Sequence, residues 1–231
     1  LLLFGGCTSW RMVRHNRPDV YSEQLFPKDT IRTDETREAA PFRFAKAPNQ
    51  ALPPPQVWAD EAYLHGETTA EEFLRNNGTR AFLVIRNDTI IHEHYFGGFQ
   101  PGEPLLNFSV SKSVVSLLTG IALDSGYFKG LDQPVSAYLP AFGTDERRHI
   151  RLKHVLNMTS GLNHGDYHHP LKLGSLFYTK RQDKYLRKKT AREVAPGTTF
   201  RYKSIDTQIL GTCLERATGR SVAELAQQWL W

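Results

Sequence analysis

The sequence predicts a mixed α+β chain in which a β-hairpin precedes a series of helices. Residues 81–95 contain two runs rich in β-branched and aromatic side chains. Asn87 and Asp88 between these runs are typical of a two-residue hairpin turn. Apolar residues follow a helical spacing at 111–125 and again at 207–217. Strands followed by helices in this order indicate the α+β class.

The region before the hairpin has little regular pattern. Residues 8–55 are polar, charged and repeatedly interrupted by proline, so we expect an extended leader or linker there. Residues 56–231 form the predicted domain. Its first helix is expected at Thr69, which can cap a helix whose third residue is Glu72.

The later elements are predicted from their end signals. Gly126 ends the helix at 111–125, and Gly219 ends the next long helix. Because the helix at 111–125 is apolar on nearly all sides, we expect it to be central and buried. Residues 127–190 alternate short apolar groups with Pro and Gly, which predicts short helices and loops. Ser221 is expected to cap a last helix that runs to the end of the chain.

The composition is that of a folded protein. The chain has 231 residues, of which 40% are hydrophobic and 11% aromatic, and this excludes a disordered tail or a collagen-like repeat. The longest helical apolar stretch, at 114–123, is much shorter than the about 20 residues of a membrane span. Two cysteines exclude a disulfide framework, and the helical pattern around Cys213 predicts a buried structural thiol.

Positive charge is concentrated in one part of the chain. Residues 171–203 contain ten Lys or Arg and two acidic residues, whereas the net charge of the whole chain is +5. Such a segment could attract an anionic partner or an anionic membrane surface, but a solvated helical face is the interpretation we favour. It lacks interleaved aromatic residues and nucleic-acid motifs, so no nucleic-acid partner is expected.

The amino terminus has a pattern of its own. An apolar run followed by two glycines and Cys7 resembles the end of a bacterial lipoprotein signal peptide. That resemblance implies that residues 1–7 are a remnant of the signal and that Cys7 becomes lipid-modified. The protein would then be in the bacterial cell envelope, periplasmic and attached to the membrane through the Cys7 lipid. The alternative is an ordinary apolar terminus.

The tetrapeptide Ser109-Val110-Ser111-Lys112 could carry chemistry. Its spacing of i and i+3 puts the Ser109 hydroxyl and the Lys112 amine on one face of a helix. A serine hydroxyl is a weak nucleophile, and a desolvated neutral lysine can take its proton. The first turn of a helix also presents backbone N–H groups to a developing oxyanion.

The tetrapeptide alone also fits a helix cap and a surface lysine. A solvated lysine is not expected at the head of an apolar helix, which favours the catalytic interpretation. Other candidate sites are weaker. His92 and His94 share a strand face without a third ligand, so a metal site is not expected there. A second group, near Asp166, is expected to line a substrate pocket. Its members are His164, His168 and His169.

Longer segments around the tetrapeptide resemble a known family. Residues 107–122 are similar to the first active-site motif of serine β-lactamase-related enzymes. The nearest resemblance is to the branch that contains class C β-lactamases, esterases and 6-aminohexanoate-oligomer hydrolases. Three further segments match in the same order. They are residues 130–140, 150–162 and 196–219.

The resemblance implies a β-lactamase/transpeptidase-like fold, with an antiparallel sheet flanked by helices and a mostly helical subdomain. It implies that Ser109 is the acylated nucleophile, that Lys112 is its base and that Tyr202 shares proton transfer and reaches the leaving group. Ser204 would contact substrate, and it stands where class C β-lactamases carry Asn. That departure favours the esterase and amide-hydrolase branch. No metal or organic cofactor is implied.

The third motif of the family, Lys or His followed by Thr or Ser and Gly, is not found in the sequence. We therefore expect the chain to be the amino-terminal part of a longer enzyme, and residues 1–231 alone to be inactive. The alternative is a natural, degenerate homologue. The predicted function is hydrolysis of a small-molecule ester or amide through a serine acyl-enzyme. The alternatives are a D-Ala-processing cell-wall peptidase or β-lactamase, and a non-catalytic envelope protein that binds with the same fold.

Overall fold

The computed structural model divides into two compact units. One unit consists of residues 34–104, and the other combines residues 1–33 with 105–231. The residues that the structure describes are 7–15, 19, 22–26, 44–167 and 170–231. In these parts, no helix is long and apolar enough to span a bilayer.

The smaller unit is built on a three-stranded sheet. Strands β1 (Ala45–Lys46), β2 (Ala81–Arg86) and β3 (Thr89–Tyr95) lie in the order β1-β3-β2. β2 and β3 are antiparallel, as expected, but the short β1 runs parallel to β3, so the sheet is mixed and not wholly antiparallel. Asn87 and Asp88 have φ angles of 49° and 56°, the left-handed conformation that a type I′ hairpin turn requires. The predicted hairpin and its turn are therefore confirmed.

Helix α2 (Ala70–Asn76) belongs to the same unit and begins at the predicted cap. The backbone N–H of Glu72 donates to Thr69 Oγ1 over 3.2 Å, and the Glu72 carboxylate accepts from the Thr69 N–H over 3.3 Å. This reciprocal pair is a capping box, as predicted. The Trp58 ring lies edge-on to Phe73 on the helix, with centroids 5.1 Å apart. Short 3₁₀ helices lie at Pro55–Val57 and Glu61–Tyr63.

The larger unit is helical. Its α-helices are α1 (Cys7–His15), α3 (Val110–Asp124), α4 (Leu152–Leu156), α5 (Pro170–Tyr178), α6 (Gln182–Lys189), α7 (Ser204–Thr218) and α8 (Val222–Trp229). Its 3₁₀ helices are Ser22–Leu25, Val135–Ala137, Pro140–Thr144 and Glu146–His149. The short helices predicted for 127–190 are confirmed. Ser221 begins α8 with a second capping box, and Gly219 ends α7 with φ at 73°.

The core of this unit is assembled around α7. Helices α3, α4 and α8 all pack against it. The fully buried residues at the centre include Leu118, Ile150, Leu152, Ile205, Ile209, Leu214 and Leu225. Cys213 lies among them with no exposed surface, and burial raises the pKa of its thiol to about 12. The prediction of a buried structural thiol is confirmed.

Helix α3 departs from the prediction that it is buried on all sides. Leu118, Thr119 and Ala122 are its only buried residues, whereas Val110 is 65% and Leu117 60% exposed. The physical reason is that α7 and α8 cover one face of the helix. A helix with apolar residues on all of its faces is buried only on those faces against which other elements pack.

The amino-terminal region also departs from the prediction. Residues 8–55, expected to be extended, contain most of α1, the 3₁₀ helix Ser22–Leu25 and β1. Helix α1 packs against α5. Ser175 Oγ lies 3.5 Å from Met12 Sδ, and the rings of His15 and Tyr178 stack with centroids 6.1 Å apart. These contacts, between residues distant in sequence, stabilise a helix that local pattern does not predict.

Four cations of the basic segment lie on the outer side of α6. Tyr185 and Leu186 are buried, while the cations of the helix point outward and are exposed. The buried Arg147 lies at the carboxyl end of α6, where its Nη1 donates to the carbonyl oxygens of Leu186, Arg187 and Thr190 over 3.1–3.2 Å. A guanidinium group therefore satisfies the last carbonyls of this helix.

Candidate active site

Ser109 lies immediately before α3, at the amino-terminal end of the helix. Its side chain makes no capping hydrogen bond, so the structure does not use it as a helix cap. Lys112 Nζ, one turn further on, donates a hydrogen bond to Ser109 Oγ over 2.9 Å. Ser109 is exposed and Lys112 half-buried. The pair predicted from the i, i+3 spacing is therefore in direct contact and accessible.

The backbone just before Ser109 is strained. Phe108 has a φ of 40°, a left-handed conformation that costs a residue with a side chain about 1–2 kcal/mol. Its carbonyl oxygen accepts a hydrogen bond from Ser111 Oγ. The Ser111 hydroxyl is thus directed at the backbone, whereas the Ser109 hydroxyl contacts the lysine amine. The two serines therefore have different partners, and of the two it is Ser109 that contacts the lysine amine.

Tyr202 joins this pair from the segment that precedes α7. Lys112 Nζ lies 5.0 Å from the centroid of the Tyr202 ring, within the range of a cation–π contact. The exposed Tyr167 flanks the same ring, with centroids 6.0 Å apart. The structure therefore brings Ser109, Lys112 and Tyr202 together, although they come from segments about 90 residues apart in sequence.

Ser204 is the first residue of α7 and is bound to Asp166. Its N–H donates to Asp166 Oδ1 over 2.9 Å, and its hydroxyl donates to Asp166 Oδ2 over 2.5 Å. The N–H of Asp166 in turn donates to the carbonyl oxygen of Tyr202 over 3.3 Å. From the sequence, Asp166 is expected only to lie beside a pocket. Its contacts with Tyr202 and Ser204 make it part of the framework of the site.

A buried polar cluster lies behind Tyr202. Lys203 is 1% exposed, and its Nζ donates to Ser160 Oγ over 3.1 Å and lies 3.7 Å from Asp206 Oδ2. Ser160 Oγ donates to Asp206 Oδ1 over 2.6 Å. Burial raises the pKa of Asp206 to about 6 and lowers the pKa of Lys203, and the attraction between the two opposes both shifts.

The sequence pattern does not predict this cluster. One signal is present, because Lys203 and Asp206 are three residues apart at the start of a helix that also carries the apolar residues Ile205, Ile209 and Leu210. Two opposite charges at that spacing can pair. Nothing in the local sequence connects them to Ser160, which is 43 residues from Lys203.

Two of the histidines singled out from the sequence have other partners. His164 is buried, and its Nε2 lies 2.8 Å from the Tyr185 hydroxyl. His92 Nδ1 lies 2.9 Å from the carbonyl oxygen of Gln50. His168 and His169 lie outside the described residues. In the parts of the chain that the structure describes, no three His, Cys, Asp or Glu side chains are grouped to hold a metal ion.

Cys7, the predicted lipidation site, is the first residue of α1. Its side chain lies outside what the structure describes, as do residues 1–6.

Comparison with known proteins connects this site to a family. The profile of the β-lactamase family matches residues 70–231. The 6-aminohexanoate-dimer hydrolase of Paenarthrobacter ureafaciens is 28% identical over an alignment of 177 residues, and the match covers 70% of this chain and 44% of that protein. The chain thus spans about half the length of the curated relative that it matches.

Solved structures agree with the fold. A provisionally assigned 6-aminohexanoate-dimer hydrolase from Bacillus anthracis matches 82% of this chain and 52% of its own, with a TM-score of 0.67 at 20% identity. A provisionally assigned β-lactamase from Bacteroides dorei DSM 17855 matches 65% of this chain and 44% of its own, with a TM-score of 0.50 at 25% identity. The expected β-lactamase/transpeptidase-like fold is confirmed, and with residues 70–231 matched by the family profile, the chain belongs to the β-lactamase family.

Proposed function

We propose that the protein is a serine hydrolase that cleaves a small-molecule ester or amide through an acyl-enzyme on Ser109. The observation that carries this proposal is the 2.9 Å contact between Lys112 Nζ and Ser109 Oγ on an exposed helix end. Its relatives in the family are hydrolases, which supports the general class of reaction.

In the first step, neutral Lys112 accepts the proton of the Ser109 hydroxyl while Oγ attacks the carbonyl carbon of the substrate. Negative charge develops on the carbonyl oxygen. The backbone N–H of Ser109, at the amino-terminal end of α3, can donate to that oxygen. Collapse of the tetrahedral intermediate breaks the bond to the leaving alcohol or amine, and an acyl-Ser109 ester remains.

Tyr202 is the residue that we assign to the leaving group. The excess proton on Lys112 has to reach the departing oxygen or nitrogen, and the Tyr202 side chain lies against the same amine. Its hydroxyl can pass that proton on and replace it from Lys112. Water then attacks the acyl carbon, with the same groups removing its proton, and Ser109 is released.

The substrate class follows from Ser204 and from the relatives. An Asn at this position could both donate and accept hydrogen bonds with the substrate. The Ser204 hydroxyl donates its hydrogen to Asp166, so the hydroxyl oxygen can only accept a hydrogen bond from the substrate. This favours substrates with little polar structure near the scissile bond, such as linear esters and amides. The amide substrate in the name of the Paenarthrobacter relative is of this kind.

Labelling with a fluorophosphonate tests the nucleophile in the protein expressed from its complete reading frame. We expect the label on Ser109 by peptide mapping, together with turnover of p-nitrophenyl butyrate. Ser109→Ala should abolish both, because nucleophile and base act as a unit. Ser113→Ala, a matched change on the exposed side of α3, should retain them. Label on Ser111 or Ser113 would contradict the proposal.

We propose further that Cys7 carries a lipid that attaches the protein to the bacterial cell envelope. Expression in a bacterial host with labelled palmitate should give a labelled protein that partitions into detergent. Cys7→Ser should lose the label, whereas Cys213→Ala should keep it because Cys213 is buried. An unmodified Cys7 by mass spectrometry would contradict this proposal.

A further inference from the structure

Lys203 is unusual among the lysines that the structure describes because its whole side chain is buried. It lies between Tyr202 and Ser204, two residues of the candidate site, and its ammonium group reaches Ser160 and Asp206 in the core. An apolar side chain of similar length would fill the same space without the desolvation of a charge. The position therefore holds a charged pair where packing alone does not require one.

The backbone explains how this pair acts on Tyr202. Lys203 has φ −147° and ψ 116°, which is extended backbone. Successive side chains of an extended segment point to opposite sides. The Lys203 side chain enters the core, so those of Tyr202 and Ser204 are directed to the other side, where Lys112 and Asp166 contact them.

The segment is also held along its backbone. The N–H of Arg201 donates to the carbonyl oxygen of Met158 over 3.1 Å, and the Tyr202 carbonyl accepts from Asp166. These hydrogen bonds fix the direction of the chain. The Lys203 side chain connects the same segment to the core, because its far end contacts Ser160 and Asp206.

The part of the core that receives Lys203 is tightly packed. Gly161, next to Ser160, has a φ of 74°, and a Cβ there would lie 2.2 Å from the carbonyl oxygen of Val194. The Glu193 N–H donates to the Gly161 carbonyl over 2.8 Å. Ser160 is thus part of a closely fitted loop, and its hydroxyl is a fixed point for the Lys203 ammonium group.

We propose that Lys203 is a positioning residue whose buried contacts with Ser160 and Asp206 hold Tyr202 in the position needed for proton transfer to the leaving group. The inference rests on the proposed function, since it assigns Tyr202 a role in that reaction. The consequence can be measured. Loss of Lys203 should lower turnover more for substrates whose leaving group must be protonated than for substrates whose leaving group departs without a proton.

Two butyrate esters provide the test in the protein expressed from its complete reading frame. Ethyl butyrate has a poor leaving group that requires a proton, and p-nitrophenyl butyrate has a good one. We expect Lys203→Met to lower kcat for the ethyl ester about tenfold more than kcat for the p-nitrophenyl ester, with KM changed less than about twofold. Tyr202→Phe should change the same ratio in the same direction.

Arg147→Met is the matched control. It also removes a buried cation that pairs with an aspartate, because Arg147 Nη2 lies 2.7 Å from Asp145 Oδ2. Its described partners are all away from Ser109, Lys112 and Tyr202, so it should lower stability and leave the ratio of the two esters unchanged. A folded Lys203→Met protein with the wild-type ratio would overturn the inference.

Ser160→Ala covers the case in which Lys203→Met does not fold. It removes one hydroxyl and keeps the ion pair, and it should shift the ratio about threefold in the same direction. An unchanged ratio in Ser160→Ala would also overturn the inference. Absence of any Ser109-dependent turnover in the wild-type protein would instead overturn the proposed function, and the inference with it.

Discussion

Asp166 accepts two hydrogen bonds from Ser204, one from the backbone N–H over 2.9 Å and one from the hydroxyl over 2.5 Å. The two carboxylate oxygens thus hold the first residue of α7 by both of its donors. A negative charge at this place also complements the positive end of the helix. Asp166 therefore fixes where α7 begins, two residues after Tyr202.

We predict that Asp166→Asn lowers both stability and turnover. The amide keeps one acceptor oxygen but loses the charge, so one of the two Ser204 donors lacks its carboxylate partner. We expect a loss of about 1–2 kcal/mol in the free energy of unfolding and about a tenfold loss in kcat for an ester. Urea unfolding and ester hydrolysis measure the two effects.

Glu224→Gln is the control for that prediction. The Glu224 carboxylate accepts from the N–H and the hydroxyl of Ser221 at the start of α8, over 2.7 and 2.9 Å. This is the same type of contact away from the candidate site. We expect a similar loss of stability without a loss of kcat. Equal losses of kcat in both variants would show that Asp166 acts through stability alone.

The proposed role of Lys112 as a base can be distinguished from a role of its charge. Lys112→Arg places a permanent positive charge beside Ser109 but cannot accept a proton near neutral pH, and Lys112→Met supplies neither a charge nor a proton acceptor. We expect both to lower kcat about 10²–10⁴-fold. Lys129→Met, a change at an exposed lysine, should leave kcat unchanged. Substantial activity in Lys112→Arg would mean that charge, not proton transfer, is what Lys112 supplies.

Adjacent leucines on α3 predict how far the core extends. Leu118 is fully buried and Leu117 is 60% exposed. Leu118→Ala should lower the free energy of unfolding by about 2–5 kcal/mol because it leaves a cavity, and Leu117→Ala by about 0.5 kcal/mol or less. Chemical denaturation of both variants measures this. Similar losses at the two positions would mean that both faces of α3 are covered.

The raised pKa of Asp206 predicts a pH dependence of stability. The folded protein keeps the Asp206 proton up to about pH 6, whereas the unfolded chain releases it near the ordinary value of 3.8. Between these limits the folded state binds more protons, so the contribution of Asp206 to stability is greatest at low pH and is lost as pH rises through about 6.

Asp206→Asn removes this contribution. The free energy of unfolding of the wild type, relative to the variant, should therefore fall as pH rises from about 4 to about 6.5. Urea midpoints at the two ends of this range measure the difference. A difference that is constant with pH would show that Asp206 titrates alike in the folded and unfolded states.

Features that depend on contacts between residues close together in the chain could be predicted from the sequence. The hairpin turn depends on Asn87 and Asp88 themselves, and the contact of Lys112 with Ser109 depends on a spacing of three residues along one helix. The cap of α2 joins Thr69 to Glu72 in the same way. Each of these could be predicted because the partner is within one turn of chain.

The remainder depends on contacts between distant segments. Asp166 reaches Ser204 across 38 residues, and Ser160 reaches Asp206 across 46. The two-residue strand β1 exists only because it pairs with β3, which begins more than 40 residues later. Likewise, the apolar spacing of α3 does not show which of its faces α7 and α8 cover.

The placement of Arg147 has a consequence for the order in which the chain folds. Arg147 closes the carboxyl end of α6 with a side chain that is 39 to 43 residues away from the carbonyl groups that it contacts. An eight-residue helix is marginal by itself, and its last carbonyls gain this partner only after the intervening loop has closed. Formation of α6 should therefore be a late event, coupled to docking of the Glu146–His149 turn, and a peptide of residues 180–190 should be largely unfolded in water.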